Sequence, residues 1–294
     1  MYYILVSSNC PCFHIVAEHI VHILNKNNIS AEMRFDKINN EISREDNLFV
    51  FWNNIVLDNS QTFDNIFIYN LDTTFIEGVR TEITKFINAS NGLCRRLCVL
   101  NFSSNVSDIT FFEKMNVECK ILHYGYSEFH EKIYESSAST ADKKDIDVLF
   151  YGAFTSPRIK KIKELSNFCK DKNYTFVFKD NVYNEREKSQ LIKRSKIVVA
   201  FPSSHYVTEA GTNDLCRLSF LISNKVFIVA EKIGGDVEDD LLSYGIKLVS
   251  YDLFLENLEY YLKNSEEREK IMDHVYEKFK LNYDFERALK SCLL

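Results

Sequence analysis

Short apolar runs alternate with longer amphipathic stretches along this chain. Tyr2-Tyr3-Ile4-Leu5-Val6 opens it, and further runs lie at 47–51, 65–69, 97–101 and 119–122. Each has the length of a strand and little polar alternation, as in strands covered on both faces. After the first run comes Pro11, a favoured first helical residue, and then Val16, Ile20, Ile23 and Leu24 at helical spacing. Helices are also expected near 76–90 and 108–116. This β-α alternation predicts a parallel sheet with helices on both faces.

The rhythm breaks over 126–146. Ser136-Ser137-Ala138-Ser139-Thr140-Ala141-Asp142-Lys143-Lys144-Asp145 is small and polar, with nothing to bury, and reads as a linker. A second series follows, with strands at 147–151, 174–179, 196–200, 225–230 and 247–250. Helices are expected at 157–171, 185–193, 212–223 and 252–263. A long helix after Asn264 or Ser265 carries Ile271, Val275 and Phe279 on one face, and the tail forms one more. The expected organisation is an N-terminal domain over 1–125, a linker over 126–146 and a C-terminal domain over 147–294. Two doubly wound α/β domains in tandem imply a cleft, with ligands at the carboxyl ends of the strands.

Composition narrows the function. The 294 residues carry a net charge of −6, with basic and acidic residues interspersed, so no nucleic-acid partner is expected. No secretory leader or run of roughly 20 apolar residues is apparent, so a cytoplasmic protein without a membrane span is expected. The eight cysteines then read as reduced thiols. Cys10, Cys12 and His14, and Cys94 with Cys98, lack the spacing of a structural zinc site, and no metal is expected. One region looks chemical. A strand ending in Gly152, a basic helix with Arg158, and a helix with Asp214 and Arg217 together suit a phosphorylated nucleotide.

Those residues also carry a resemblance. The chain has Phe150-Tyr151-Gly152 and Arg158, then Tyr183-Asn184-Glu185-Arg186, then Arg194-Ser195-Lys196 before Ile197-Val198-Val199. Asp214, Arg217-Leu218-Ser219, Asn224-Lys225 and Ala230-Glu231 complete the order. This half resembles the nucleotide-sugar-binding half of GT-B glycosyltransferases, in particular a glycosyl-transferase-1-like group of bacteria and large DNA viruses related to spore-coat maturation glycosyltransferases. One departure is Asp214, where the group carries Glu. The N-terminal half matches only at Tyr69-Asn70-Leu71-Asp72 and in its β-α order. The resemblance implies two Rossmann-like domains facing across a cleft. It implies a nucleoside diphosphate sugar donor, a UDP-sugar above all, a glycan or other hydroxyl acceptor, and no obligatory cofactor. Without an Asp-x-Asp pair suited to a metal, transfer is expected to be metal-independent.

Each candidate has two readings. Gly152 allows close approach of a diphosphate, or is a turn glycine. Arg158 makes a bidentate phosphate contact, or is solvated among Lys160, Lys161 and Lys163. Asp214 and Arg217 share a helix face, and either grip ribose and phosphate or form a local ion pair. Gly211-Thr212 before them puts N–H groups at a helix start. Glu209 and Glu231 can reach sugar hydroxyls, Lys179 phosphate, and Tyr183 the base; all four can equally be ordinary surface or core-edge residues. For the general base, His14, Asp72 and Glu77 lie on or near the N-terminal rim, and Asp72 stands first because it follows a predicted strand. Two rivals stay open: a sugar-nucleotide epimerase of the same architecture, and a non-catalytic nucleotide-sugar-binding module.

Overall fold

The computed structural model describes residues 1–37, 43–53, 55–58, 61–71, 77–102, 106–137, 144–202, 215–233 and 236–293. The chain forms two compact units, Met1–His123 with Phe285–Leu294, and Tyr124–Asp284.

The first unit is built on a six-stranded sheet. Its strands are β1 (Tyr2–Val6), β2 (Ala31–Phe35), β3 (Asn47–Val50), β4 (Phe63–Asn70), β5 (Cys94–Asn101) and β6 (Glu118–Ile121), in the order β2-β1-β3-β4-β5-β6. All of these pairings are parallel. The connecting helices are α1 (His14–Lys26), α2 (Glu77–Ser90) and α3 (Val106–Lys114). Tyr3, Leu5, Val50, Ile66 and Ile68 pack with Ile83, Phe86 and Phe112 in one core. Their neighbours Ile4, Phe49 and Phe67 are buried too. That is why the strand sequences run apolar without alternating. Pro11–Phe13 form a 3-10 turn ahead of α1, so the helix starts three residues later than Pro11 suggests. The edge strand β2 escapes the sequence reading because its last two residues, Arg34 and Phe35, are exposed.

The second unit carries α4 (Glu128–Ser136), β7 (Ile146–Tyr151), α5 (Ser156–Asp171), β8 (Phe176–Lys179), α6 (Glu185–Lys193), β9 (Ser195–Ala200), α7 (Leu215–Ser223), β10 (Ile228–Glu231), α8 (Asp236–Tyr244), β11 (Lys247–Val249), α9 (Phe254–Lys263) and α10 (Ser265–Asn282). Its parallel sheet has the order β11-β10-β9-β7-β8. Successive strands run outward on either side of the β7/β9 pair, which makes that pair the switch point where open α/β sheets take ligands.

The units divide the chain differently from the expected 125/147 boundaries. Part of the stretch read as linker is α4, capped by Ser127, whose side chain accepts the Phe129 N–H at 3.1 Å. The last helix, α11 (Phe285–Leu293), belongs to the first unit. Gly125 abuts the Tyr283 carbonyl so closely that no Cβ fits there. Among the described residues no helix is long and apolar enough to cross a membrane.

Candidate nucleotide-sugar site

The switch point of the second sheet presents Gly152, directly after β7. Its φ is +140°, a conformation that disfavours any residue with a Cβ. A Cβ here would lie 2.5 Å from Nη2 of Arg217 and 3.4 Å from Nη1 of Arg158. The absent side chain thus leaves a gap that two guanidinium groups fill. The Gly152 N–H donates to the Lys179 carbonyl at 3.1 Å, fixing the turn to the end of β8.

The two arginines are held differently. Arg158 is only 4 % exposed. Its Nε donates to the Phe201 carbonyl at 2.9 Å and its Nη1 to the Ala153 carbonyl at 3.2 Å. Its guanidinium also lies 5.9 Å from the Phe150 ring. Arg158 therefore ties the turn after β7 to the residue following β9, while adding a positive charge beneath both. It is not one of the solvated cations of its helix. Arg217 lies on α7, half-buried, with its guanidinium 5.1 Å from the Tyr151 ring. The two guanidinium groups together make the surroundings of Gly152 locally positive.

The other described candidates of this unit lie at or just after strand ends of the same sheet. Lys179 is exposed at the end of β8. Tyr183 is 46 % exposed, and its hydroxyl donates to Oδ1 of Asn181 at 3.0 Å. Glu231 ends β10 and is ion-paired with Lys161, each side chain being under one-fifth exposed. Lys161 also sits 4.9 Å from the Tyr251 ring. Sequence reasoning missed Lys161, because it stands in a run of lysines that reads as a solvated face. Glu209, Thr212 and Asp214 lie outside the described residues, as does Asp72 in the first unit.

His14 opens α1 at the carboxyl end of the first sheet. Its Nε2 is 3.0 Å from the Ser7 carbonyl, and its ring meets Phe35 edge-on at 5.1 Å. A carbonyl oxygen only accepts, so Nε2 carries a proton and donates to it. Nearby, Asp36 accepts from the Ser8 N–H at 2.8 Å and from the Ser7 hydroxyl at 3.3 Å. Those bonds from Ser8 and Ser7 hold its pKa below the ordinary carboxylate value. At the ends of β4 and β5 a buried amide ladder sets a polar floor. The Trp52 indole N–H donates to Asn70 Oδ1 at 3.1 Å, and Asn70 Nδ2 donates to Asn101 Oδ1 at 2.7 Å. Among the described residues no group of three or more His, Cys, Asp or Glu side chains is placed to hold a metal ion.

Neither a protein-family model nor a curated relative matches the chain. Solved structures do. The fold is similar over 99 % of both chains to a DNA modifying enzyme, beta-glucosyltransferase, solved in the presence and absence of uridine diphosphoglucose, with a TM-score of 0.57 and 12 % identity. It is similar to WaaG, a glycosyltransferase of lipopolysaccharide biosynthesis, over 99 % of this chain and 98 % of that one, with a TM-score of 0.54 and 11 % identity. It also matches S. aureus TarM, in complex with fondaparinux, alpha-GlcNAc-glycerol and UDP, over 93 % of this chain but only 57 % of TarM, with a TM-score of 0.51 and 12 % identity. At these identities the likeness is one of fold, and the expected GT-B class of two doubly wound α/β units is the one observed.

Proposed function

We propose that the chain is a glycosyltransferase that moves a sugar from a nucleoside diphosphate sugar, a UDP-sugar above all, to a hydroxyl of a glycan or other acceptor. The observation that carries this is the convergence of Arg158 and Arg217 on Gly152 at the switch point of the second sheet. Glycosyl transfer breaks the bond from the anomeric carbon to the diphosphate, which departs with the electron pair. The acceptor oxygen forms the new bond and gives its proton to a base. Arg217 contacts the diphosphate, and Arg158 holds the turn in place while adding charge, so the leaving group meets preorganised cations. Asp214 and Thr212 are assigned to ribose and phosphate, Glu209 and Glu231 to sugar hydroxyls, and Lys179 to phosphate. His14, through Nδ1, or Asp72 is assigned the base.

The neighbours named above support the reading: beta-glucosyltransferase and WaaG are glycosyltransferases, and TarM was solved with UDP. The test is incubation with radiolabelled UDP-sugars, with and without acceptors, including glycans and duplex DNA because one neighbour modifies DNA. Label moving to an acceptor is the expected result, with the glycan preferred. Acceptor-free isomerisation would mark an epimerase, and binding without turnover a module. Activity is expected to survive EDTA, because the guanidinium pair can meet the departing diphosphate. T4 phage BGT has been solved with UDP and Mn2+, so loss in EDTA with recovery in manganese would shift the leaving-group role to a metal.

A further inference from the structure

Beside the guanidinium pair lies an aromatic surface that no part of the transfer chemistry uses. Phe178, in the edge strand β8, is 44 % exposed. Its ring is 5.8 Å from Phe154 and 5.5 Å from Phe176, with interplanar angles of 41° and 33°. Phe154 in turn lies 6.3 Å from the buried Phe150, whose ring carries the Arg158 guanidinium. An exposed aromatic ring at the end of an edge strand costs solvation and invites strand pairing unless something covers it.

Two bonds from backbone N–H groups tie the turn after β7 to the end of β8. The Gly152 N–H donates to the carbonyl of Lys179, the residue after Phe178. The Phe154 N–H donates to Oδ1 of Asp180 at 3.1 Å, so that carboxylate is turned onto the backbone. Phe178 is thus next to the residue whose carbonyl holds the Gly152 turn, and Phe154 is two residues beyond Gly152. A cationic turn and an exposed apolar ring on neighbouring strand ends suit the phosphate and the base of one nucleotide.

We infer that Phe178, backed by Phe154, is the stacking platform for the base of the bound nucleotide. This rests on the proposed nucleotide-sugar reading and gives the base-stacking role to Phe178 in place of Tyr183, because Phe178 adjoins the residue whose carbonyl holds Gly152. Stacking is tolerant of base identity, because every base has a π face. Phe178 therefore supplies affinity for a nucleoside over a bare diphosphate.

Calorimetric titration of the full chain with UDP and with inorganic pyrophosphate tests this. Phe178→Ala is expected to weaken UDP by roughly 5- to 150-fold, the range for alanine in place of a stacked aromatic. Pyrophosphate affinity is expected to stay unchanged, and Phe178→Trp to retain UDP binding. Equal UDP affinity in wild type and Phe178→Ala overturns the platform, as does an equal loss for both ligands. UDP binding no tighter than pyrophosphate in the wild type also overturns it, while leaving the anion site standing. A wild-type chain that binds neither ligand removes the nucleotide-sugar reading and the platform together.

Discussion

Arg217 is the residue on which the proposed anion site turns. Arg158 spends two donors on backbone carbonyls, whereas Arg217 reaches Gly152 from α7. Arg217→Ala is expected to weaken UDP by about 1.5–3 kcal/mol, the worth of a hydrogen bond to a charged group. Circular dichroism should show the fold intact, and titration should show the loss. Unchanged affinity in a folded variant would make Arg217 a packing residue on Tyr151. Arg158 should behave in the opposite way. Lysine keeps its charge but cannot bridge two carbonyls in the plane of a guanidinium. Arg158→Lys is therefore expected to lower thermal stability without ligand, with a buried donor set lost and two carbonyls stranded at about 1–3 kcal/mol. A variant as stable as the wild type would restore a purely ligand-facing role. The sequence showed both arginines and the glycine as candidates, because strand-end glycine and basic helix are local signals. It could not show that one arginine is buried and the other half-buried. That difference is set by Phe201 and Ala153, which come from separate loops.

Strands were legible where both faces are buried, because continuous apolar runs leave little choice of structure. Elements with one polar face were not. Helix α4 hid inside a stretch dominated by serine and charge, yet it carries a fully buried histidine. His130 Nε2 lies 2.8 Å from the Tyr124 hydroxyl, its Nδ1 is 3.4 Å from the hydroxyl of Ser223 at the end of α7, and its ring packs on Phe220. Burial, and next the charge of Lys188, push its pKa down to about 3. The folded protein thus refuses a proton that the unfolded chain accepts near pH 6.5. Between those values the unfolded state binds more protons, so this contribution is complete above about pH 6.5 and falls as pH drops, by at most about 1.4 kcal/mol per pH unit. His130→Gln removes the titration while leaving polar atoms for Tyr124 and Ser223. The stability gap between wild type and His130→Gln, from urea unfolding, is expected to narrow by about 1–2 kcal/mol between pH 7 and pH 5. A gap that does not change with pH would mean His130 is protonated within the fold.

Across the whole molecule, chain order and spatial order part company at the C-terminus. Periodicity announces α11, but not which sheet it serves, since amphipathic spacing says only that one face must be covered. The covering is supplied by the first unit, whose preceding part ends at His123, far earlier in the chain than Phe285. Phe285 and Leu289 are fully buried, and Phe285 lies 4.9 Å from the ring of His19 on α1. Lys26 pairs with Glu286 at 2.8 Å, Lys120 donates to the Cys292 carbonyl at 2.9 Å, and Tyr2 donates to the Leu293 carbonyl at 3.5 Å. Most of these partners are polar and partly exposed, and exposed ion pairs contribute little. The buried face of Phe285, Leu289, Cys292 and Leu293 therefore carries the attachment. Phe285→Ala is expected to cost about 3–5 kcal/mol, as other buried phenylalanine truncations do. The loss should appear in the first unit, with amide exchange in β1 and α1 rising while β7 and β9 keep their protection. Faster exchange confined to the second unit would place α11 with the strands that precede it in sequence, and the chain would then divide near the linker that composition suggested.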